Sequence, residues 1–215
     1  MPILVVNPNS SVPVTRSIAE ALAPLGDMFE VIRRADGPET IRTDEDVAAA
    51  GLAFVEIAEA RPDAAGFITA CFSDPGLDLA RRRVGQPVTG AQEAAVLEAC
   101  ARAERFGVIA LSERAIPRHM KRIDALGLID KLVGEAPLRD ASAEDSGSEQ
   151  LYAQLRDLAY GLRERGAGAV VLGCAGMARQ AARLEDELGI AVIDPVAAAG
   201  RLALGRLGSQ EGKSA

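Results

Sequence analysis

Short runs of β-branched residues alternate along the chain with longer segments rich in alanine and leucine. Ile3–Val6 is apolar at every position, as a strand buried on both faces would be, and it runs into the turn-forming cluster Asn7-Pro8-Asn9-Ser10. A helix is expected over Val14–Leu25, with Asn9 or Ser10 as its cap, followed by a strand over Met28–Arg33. Asp44 is read as the cap of a long helix reaching about Arg61. A third strand, Ala65–Ala70, stops at Cys71; a fourth covers Gln86–Thr89, and a helix runs from Ala91 to about Ala103.

The same pattern then begins again. Strands are expected over Phe106–Leu111, Lys131–Ala136, Ala169–Leu172 and Ile190–Ile193, and helices over Ile116–Leu126, Gln150–Arg165, Met177–Leu188 and Pro195–Leu207. The acidic, small-residue stretch Asp140–Ser148 reads as a loop, and the tail Gly208–Ala215 as frayed. Ile3 corresponds to Gly107, Phe29 to Leu132, Cys71 to Cys174 and Val88 to Val192, at separations of 103–104 residues. A constant offset of that length predicts two equivalent halves. The expected fold is α/β: two pseudo-symmetric domains, each a four-stranded, mainly parallel sheet flanked by helices, with the site in the cleft between them. The expected division is residues 1–98 with 200–215 for the first domain and 99–199 for the second.

Composition narrows the chemistry. The 215 residues include three cysteines, one histidine and no tryptophan. An odd cysteine count argues against a disulfide framework. A single histidine rules out a multi-histidine zinc site and would force any Ser-His-Asp triad to use His119. A formal net charge of −7 and 3% aromatic residues argue against a nucleic-acid partner. No apolar run approaches the roughly 20 residues that span a bilayer, and the first residues lack a signal-peptide pattern, so no membrane partner and a cytoplasmic location are expected.

Thiols, carboxylates and arginines remain. Cys71 and Cys174 each follow the third strand of a half, at the carboxyl end of a parallel sheet, where ligands bind. A following helix N-terminus would lower each thiol's pKa. Two thiols facing one cleft suit two-base inversion of an acidic carbon beside a carbonyl: a thiolate takes a proton from one face and a thiol returns one to the other. The N–H groups flanking Cys174, beside Ala175 and Gly176, could hold the enolate oxygen. Cys100, among alanines and without a counterpart at the offset, reads as core packing. Asn7 and Thr40 are candidate ligand contacts from loops above the sheet, and His119 reads as a surface residue on a basic helix. Arg42 reads as an exposed loop arginine that would favour an anionic substituent if it reached the cleft.

These residues resemble the Asp/Glu/hydantoin racemase superfamily over nearly the whole chain. The resemblance rests on Asn7-Pro8-Asn9-Ser10-Ser11, Gly37-Pro38-Glu39-Thr40-Ile41, Cys71-Phe72-Ser73-Asp74-Pro75-Gly76-Leu77, Pro87-Val88-Thr89-Gly90 with Glu93-Ala94-Ala95, and Leu172-Gly173-Cys174-Ala175-Gly176-Met177. Phe72-Ser73 and Ala175-Gly176 after the two cysteines resemble the hydantoin and allantoin racemase branch. The resemblance implies a cofactor-independent racemase acting on a small molecule, with Cys71 and Cys174 as the acid/base pair. It places Asn7, Thr40, Ile41, Phe72, Ser73, Ala175 and Gly176 around the ligand, and it implies a homo-oligomer. The expected reaction is inversion at C5 of a 5-substituted hydantoin, with allantoin a candidate. An arylmalonate decarboxylase-like or maleate isomerase-like enzyme, and a non-catalytic small-molecule binding protein, stand as alternatives.

Overall fold

The computed structural model describes residues 1–139 and 148–211. The first half runs β1 (Ile3–Asn7), α1 (Val12–Leu22), β2 (Phe29–Arg33), α2 (Asp44–Glu59), β3 (Gly66–Thr69), α3 (Leu77–Arg83), β4 (Val88–Gly90) and α4 (Ala91–Arg102). The second runs β5 (Phe106–Ala110), α5 (Ile116–Ala125), β6 (Leu132–Pro137), α6 (Glu149–Glu164), β7 (Ala169–Gly173), α7 (Ala181–Leu188), β8 (Ala191–Ile193) and α8 (Pro195–Glu211). Among the described residues the strands form two four-stranded sheets, ordered β2-β1-β3-β4 and β6-β5-β7-β8, with every pairing parallel. Each strand of the second sheet begins 103 residues after its counterpart: Ile3 and Phe106, Phe29 and Leu132, Gly66 and Ala169, Val88 and Ala191.

The central strands are apolar throughout because helices cover both of their faces. On β1, Ile3 and Val5 point into one cluster while Leu4 and Val6 point into another; on β7, Ala169 and Val171 divide from Val170 and Leu172 in the same way. The inner faces of the two sheets belong to one shared core. It is completed by Val14 and Ile18 of α1, by Ala95, Val96 and Ala99 of α4, and by Val196, Ala199 and Ala203 of α8. Alanine dominates the helical share of this core, and small side chains let helices from both halves lie close together. Cys100 is partly buried against it.

Several local expectations are corrected. Ser11, not Asn9 or Ser10, caps α1: its Oγ accepts from the Val14 N–H at 3.4 Å. α1 closes at Leu22, and a 3-10 turn takes Ala23–Leu25. Thr43, not Asp44, caps α2 in a reciprocal capping box: Thr43 Oγ1 accepts from Asp46 N–H at 3.1 Å, and the Asp46 carboxylate accepts from Thr43 N–H at 2.9 Å. α3 was not expected, since Leu-Asp-Leu-Ala-Arg-Arg-Arg is too short and too basic to show an apolar period. Gly76 opens it with φ +74°, a left-handed conformation suited to glycine. The segment expected as one helix from Met177 is a 3-10 segment over Ala175–Gln180 followed by α7. The tail expected to fray stays helical through Glu211. Of the expected acidic loop, residues 140–147 lie outside the described residues, as do 212–215 of the tail. Among the described residues, no helix is long and apolar enough to cross a membrane.

Candidate active site

Both sheets end at the same cleft. Ala70 N–H donates to Val6 O at 2.9 Å, which ends the β3 ladder and releases Cys71 into a loop. Cys174 follows β7 directly, in extended backbone, and its Sγ accepts from the Gly176 N–H at 3.4 Å. Cys71 has the matching arrangement, with the Ser73 N–H directed at its sulfur. In both halves, therefore, the N–H two residues after the cysteine serves the thiol itself. For Gly176 this differs from the expected role at an enolate oxygen.

Burial pushes the Cys71 thiol up to about 12; the Ser73 N–H pulls the other way, and the neighbouring Cys174 adds to the rise. Burial raises Cys174 as well, against the Gly176 N–H. The expected lowering by helix N-termini is thus overturned. After Cys71, α3 begins only at Leu77, and after Cys174 only a 3-10 segment follows, so desolvation outweighs what local N–H groups supply. Among the described residues, no group of three or more His, Cys, Asp or Glu side chains could hold a metal ion.

The cleft has a volume of about 300 Å³, within the range of small-ligand sites. Cys71, Cys174, Thr40, Ile41, Phe72, Ser73 and Ala175 line it; Asn7 and Gly176 do not. Asn7 is fully buried behind the wall. Its Nδ2 donates to Asn9 Oδ1 at 2.9 Å and to Thr15 Oγ1 at 3.0 Å, while its Oδ1 accepts from Asn9 N–H at 3.2 Å. Asn9, expected to cap α1, is the asparagine on the wall. Asn7 closes the strand, and its short side chain is consumed in bracing the turn that presents Asn9. Ser10 N–H donates to Pro38 O at 3.0 Å, which fastens the Thr40 loop over the sheet edge.

His119 is also corrected. It is only 2% exposed, and its ring meets Phe72 edge-on with centroids 4.9 Å apart. Its Nδ1 lies 2.9 Å from Glu135 Oε2, and its backbone carbonyl accepts from Gln92 Nε2 at 2.9 Å. Basic neighbours on the outer face of α5 disguised a histidine that the helical period turns inward onto the cleft.

Asp74 was missed as a positioning residue. Its N–H donates to Cys71 O at 2.9 Å, and its carboxylate accepts from Gln92 N–H at 2.8 Å and Glu93 N–H at 2.9 Å. It thus caps α4 while holding the Cys71 loop, at a strained φ of +45°. Burial pushes its carboxyl up to about 7 in spite of those N–H groups. A Cβ on Gly90 would collide with this carboxyl group. Gly90→Ala is therefore expected to cost about 2 kcal/mol of stability and to lower turnover by displacing Cys71. Denaturant midpoints and rates measured on the same protein check this, and an unchanged pair would mean that the loop gives way freely.

Residues 3–203 match the family Asp/Glu/Hydantoin racemase. The chain is 35% identical to the hydantoin racemase of Paenarthrobacter aurescens, covering 100% of this chain and 95% of that one. It is 33% identical to the hydantoin racemase of Rhizobium meliloti, covering 97% and 90%. The structure of allantoin racemase from Klebsiella pneumoniae matches with a TM-score of 0.90 at 31% identity, covering 98% of this chain and 89% of that one. These likenesses run through both sheets and both cysteine loops, and the chain belongs to the Asp/Glu/hydantoin racemase family, as an isomerase of the racemase type.

Proposed function

We propose that the enzyme inverts C5 of a 5-substituted hydantoin, allantoin included, by proton transfer between Cys71 and Cys174. The observation that carries this reading is the presence in one cleft of two free thiols, one from each half at matching positions. One sulfur, as thiolate, takes the C5 proton. The electron pair left on carbon spreads onto the adjacent ring oxygen as an enolate. The other thiol then gives its proton to the opposite face, and the thiolate has changed sides. Mutual repulsion between the sulfurs opposes ionisation of both together, so the pair, once it ionises, holds one thiolate and one thiol, the state the step requires. The proton moves between carbon and sulfur without a cofactor. Thr40, Ile41, Phe72, Ser73 and Ala175 form walls around the ring, with Asn7 and Gly176 bracing Asn9 and Cys174 behind them.

Polarimetry over a panel of hydantoins and allantoin, with and without reductant, tests the reading. Loss of optical rotation in reduced enzyme is expected, with recovery by reductant after oxidation. Absence of racemisation across the panel would overturn it.

The pH dependence follows from burial of the thiols. Both are raised, so the resting enzyme is overwhelmingly dithiol at neutral pH, and the reactive thiolate fraction grows with pH. A base that titrates above the assay range makes kcat/KM rise roughly tenfold per pH unit through the neutral region. A plateau reached below neutrality would contradict thiols of this kind.

On the family resemblance we further propose a homo-oligomer acting in the cytoplasm, and on the duplicated topology residues 1–98 and 200–215 as one domain and 99–199 as the other. Sedimentation measurements decide the assembly.

A further inference from the structure

The cleft has the opposite sign of charge to the molecule around it. The chain carries a formal net charge of −7, yet Arg42, Arg114 and Arg118 line the cleft and no described Asp or Glu does. Elsewhere guanidinium groups are commonly engaged by carboxylates, as Arg61 is by Glu30, Arg179 by Glu20 and Arg201 by Glu98. At the cleft Arg118 is engaged in this way, whereas Arg42 and Arg114 are not. Arg42 and Arg114 contribute only main-chain groups to the bonds they make: the Arg42 N–H donates to Asp46, and the Arg42 and Arg114 carbonyls accept from Arg118. Neither guanidinium meets an acidic partner among the described residues.

Arg118 differs from the other two. Its Nη1 lies 2.9 Å from Asp44 Oδ1, its buried Nε has no partner, and its charge favours ionisation of Cys71 against the larger opposing charge of Asp74. It is therefore already committed in part to Asp44 and to the thiol. Arg42 comes from the loop before α2 and Arg114 from the 3-10 turn before α5, so the two approach the same cleft from different halves. Both residues are exposed at the cleft, and charges of one sign lining a cleft raise the local concentration of the opposite charge. Asp44 already offsets Arg118, so a thiolate formed during turnover would offset one of the two remaining cations and leave the other uncompensated.

We propose that Arg42 and Arg114 grip an anionic group, and that the preferred substrates are hydantoins whose C5 substituent ends in a carboxylate. This rests on the racemase reading above and specifies its substrate class. Planar guanidinium groups match a carboxylate in geometry as well as in charge.

The test compares 5-(carboxymethyl)hydantoin with its near-isosteric neutral amide, 5-(carbamoylmethyl)hydantoin, on the reduced, intact enzyme. Calorimetry gives Kd for each, and polarimetry gives kcat/KM. At low ionic strength the acid is expected to be favoured by about tenfold or more in both measurements, with the advantage shrinking as salt is added. Arg42→Gln and Arg114→Gln should each cut the acid-to-amide ratio several-fold, and Arg114→Glu should reverse it. An acid-to-amide ratio near one in the wild type overturns the proposal, as does a ratio unmoved by both glutamine variants. Failure to racemise either compound would count against the racemase reading instead, and the ratio of the two Kd values would still decide the anion preference.

Discussion

Cys71→Ser and Cys174→Ser are each expected to lower racemisation by on the order of 10²–10⁴-fold, the usual contribution of a positioned acid or base. Serine preserves the shape of the site, but its hydroxyl holds its proton far more tightly than a thiol does, so one half of the relay fails. The two losses should not be alike. Each variant keeps one cysteine sulfur in the cleft, and that sulfur faces one side of the substrate ring. In deuterated water, Cys71→Ser should exchange the C5 proton of one enantiomer without inverting it, and Cys174→Ser should exchange that of the other. Proton NMR of each pure enantiomer measures this directly. Full racemisation by either variant would sink the two-thiol mechanism. Exchange of the same enantiomer by both would show that the sulfurs do not face opposite sides of the ring.

What could be read from sequence depended on whether the signal was local. The strands were legible because a doubly covered parallel strand has to be apolar at every position, as Ile3–Val6 and Ala169–Leu172 are. The duplication was legible through its constant offset, and the cysteine pair followed from it. Features set by tertiary approach were not visible. His119 sits among bases in sequence, and only the packing of α5 turns it toward Phe72. Asn7 and Asn9 are equally plausible wall residues until the buried strand end claims the first. The thiol pKa values were misjudged because desolvation depends on the whole surround of the cleft, while helix ends are written locally. Arg114 gave no local sign of its place on the cleft wall, because that wall exists only once the two halves are packed together.

Glu93→Ala is expected to lower stability by about 3 kcal/mol, the lower end of the cost of breaking a buried ion pair. In the sequence Glu93 was only one letter of a family motif. In the structure its side chain is 6% exposed and joins three arginines from three other helices. Its Oε1 lies 2.7 Å from Arg81 of α3 and 2.8 Å from Arg206 of α8, and its Oε2 lies 3.0 Å from Arg122 of α5. One carboxylate on α4 thus fastens helices from both halves and the last helix of the chain. The arginines keep partial access to water, which holds the cost below that of a fully buried triad. Burial alone would raise the pKa of Glu93, but Arg81 and Arg206 prevail and hold it at about 2. Because the folded pKa is depressed, the stabilisation is complete above the ordinary value of 4.5 and is lost as pH falls through about 2. A loss of about 3 kcal/mol corresponds to roughly 6–12 °C in Tm for a chain of this size, measured near neutral pH. The gap between wild type and Glu93→Ala should close as pH falls toward 2, because acid then removes the same charge from the wild type. A Tm within about 2 °C of wild type at neutral pH would mean that the arginines find other partners, and that the shared alanine-rich core alone holds the two halves together.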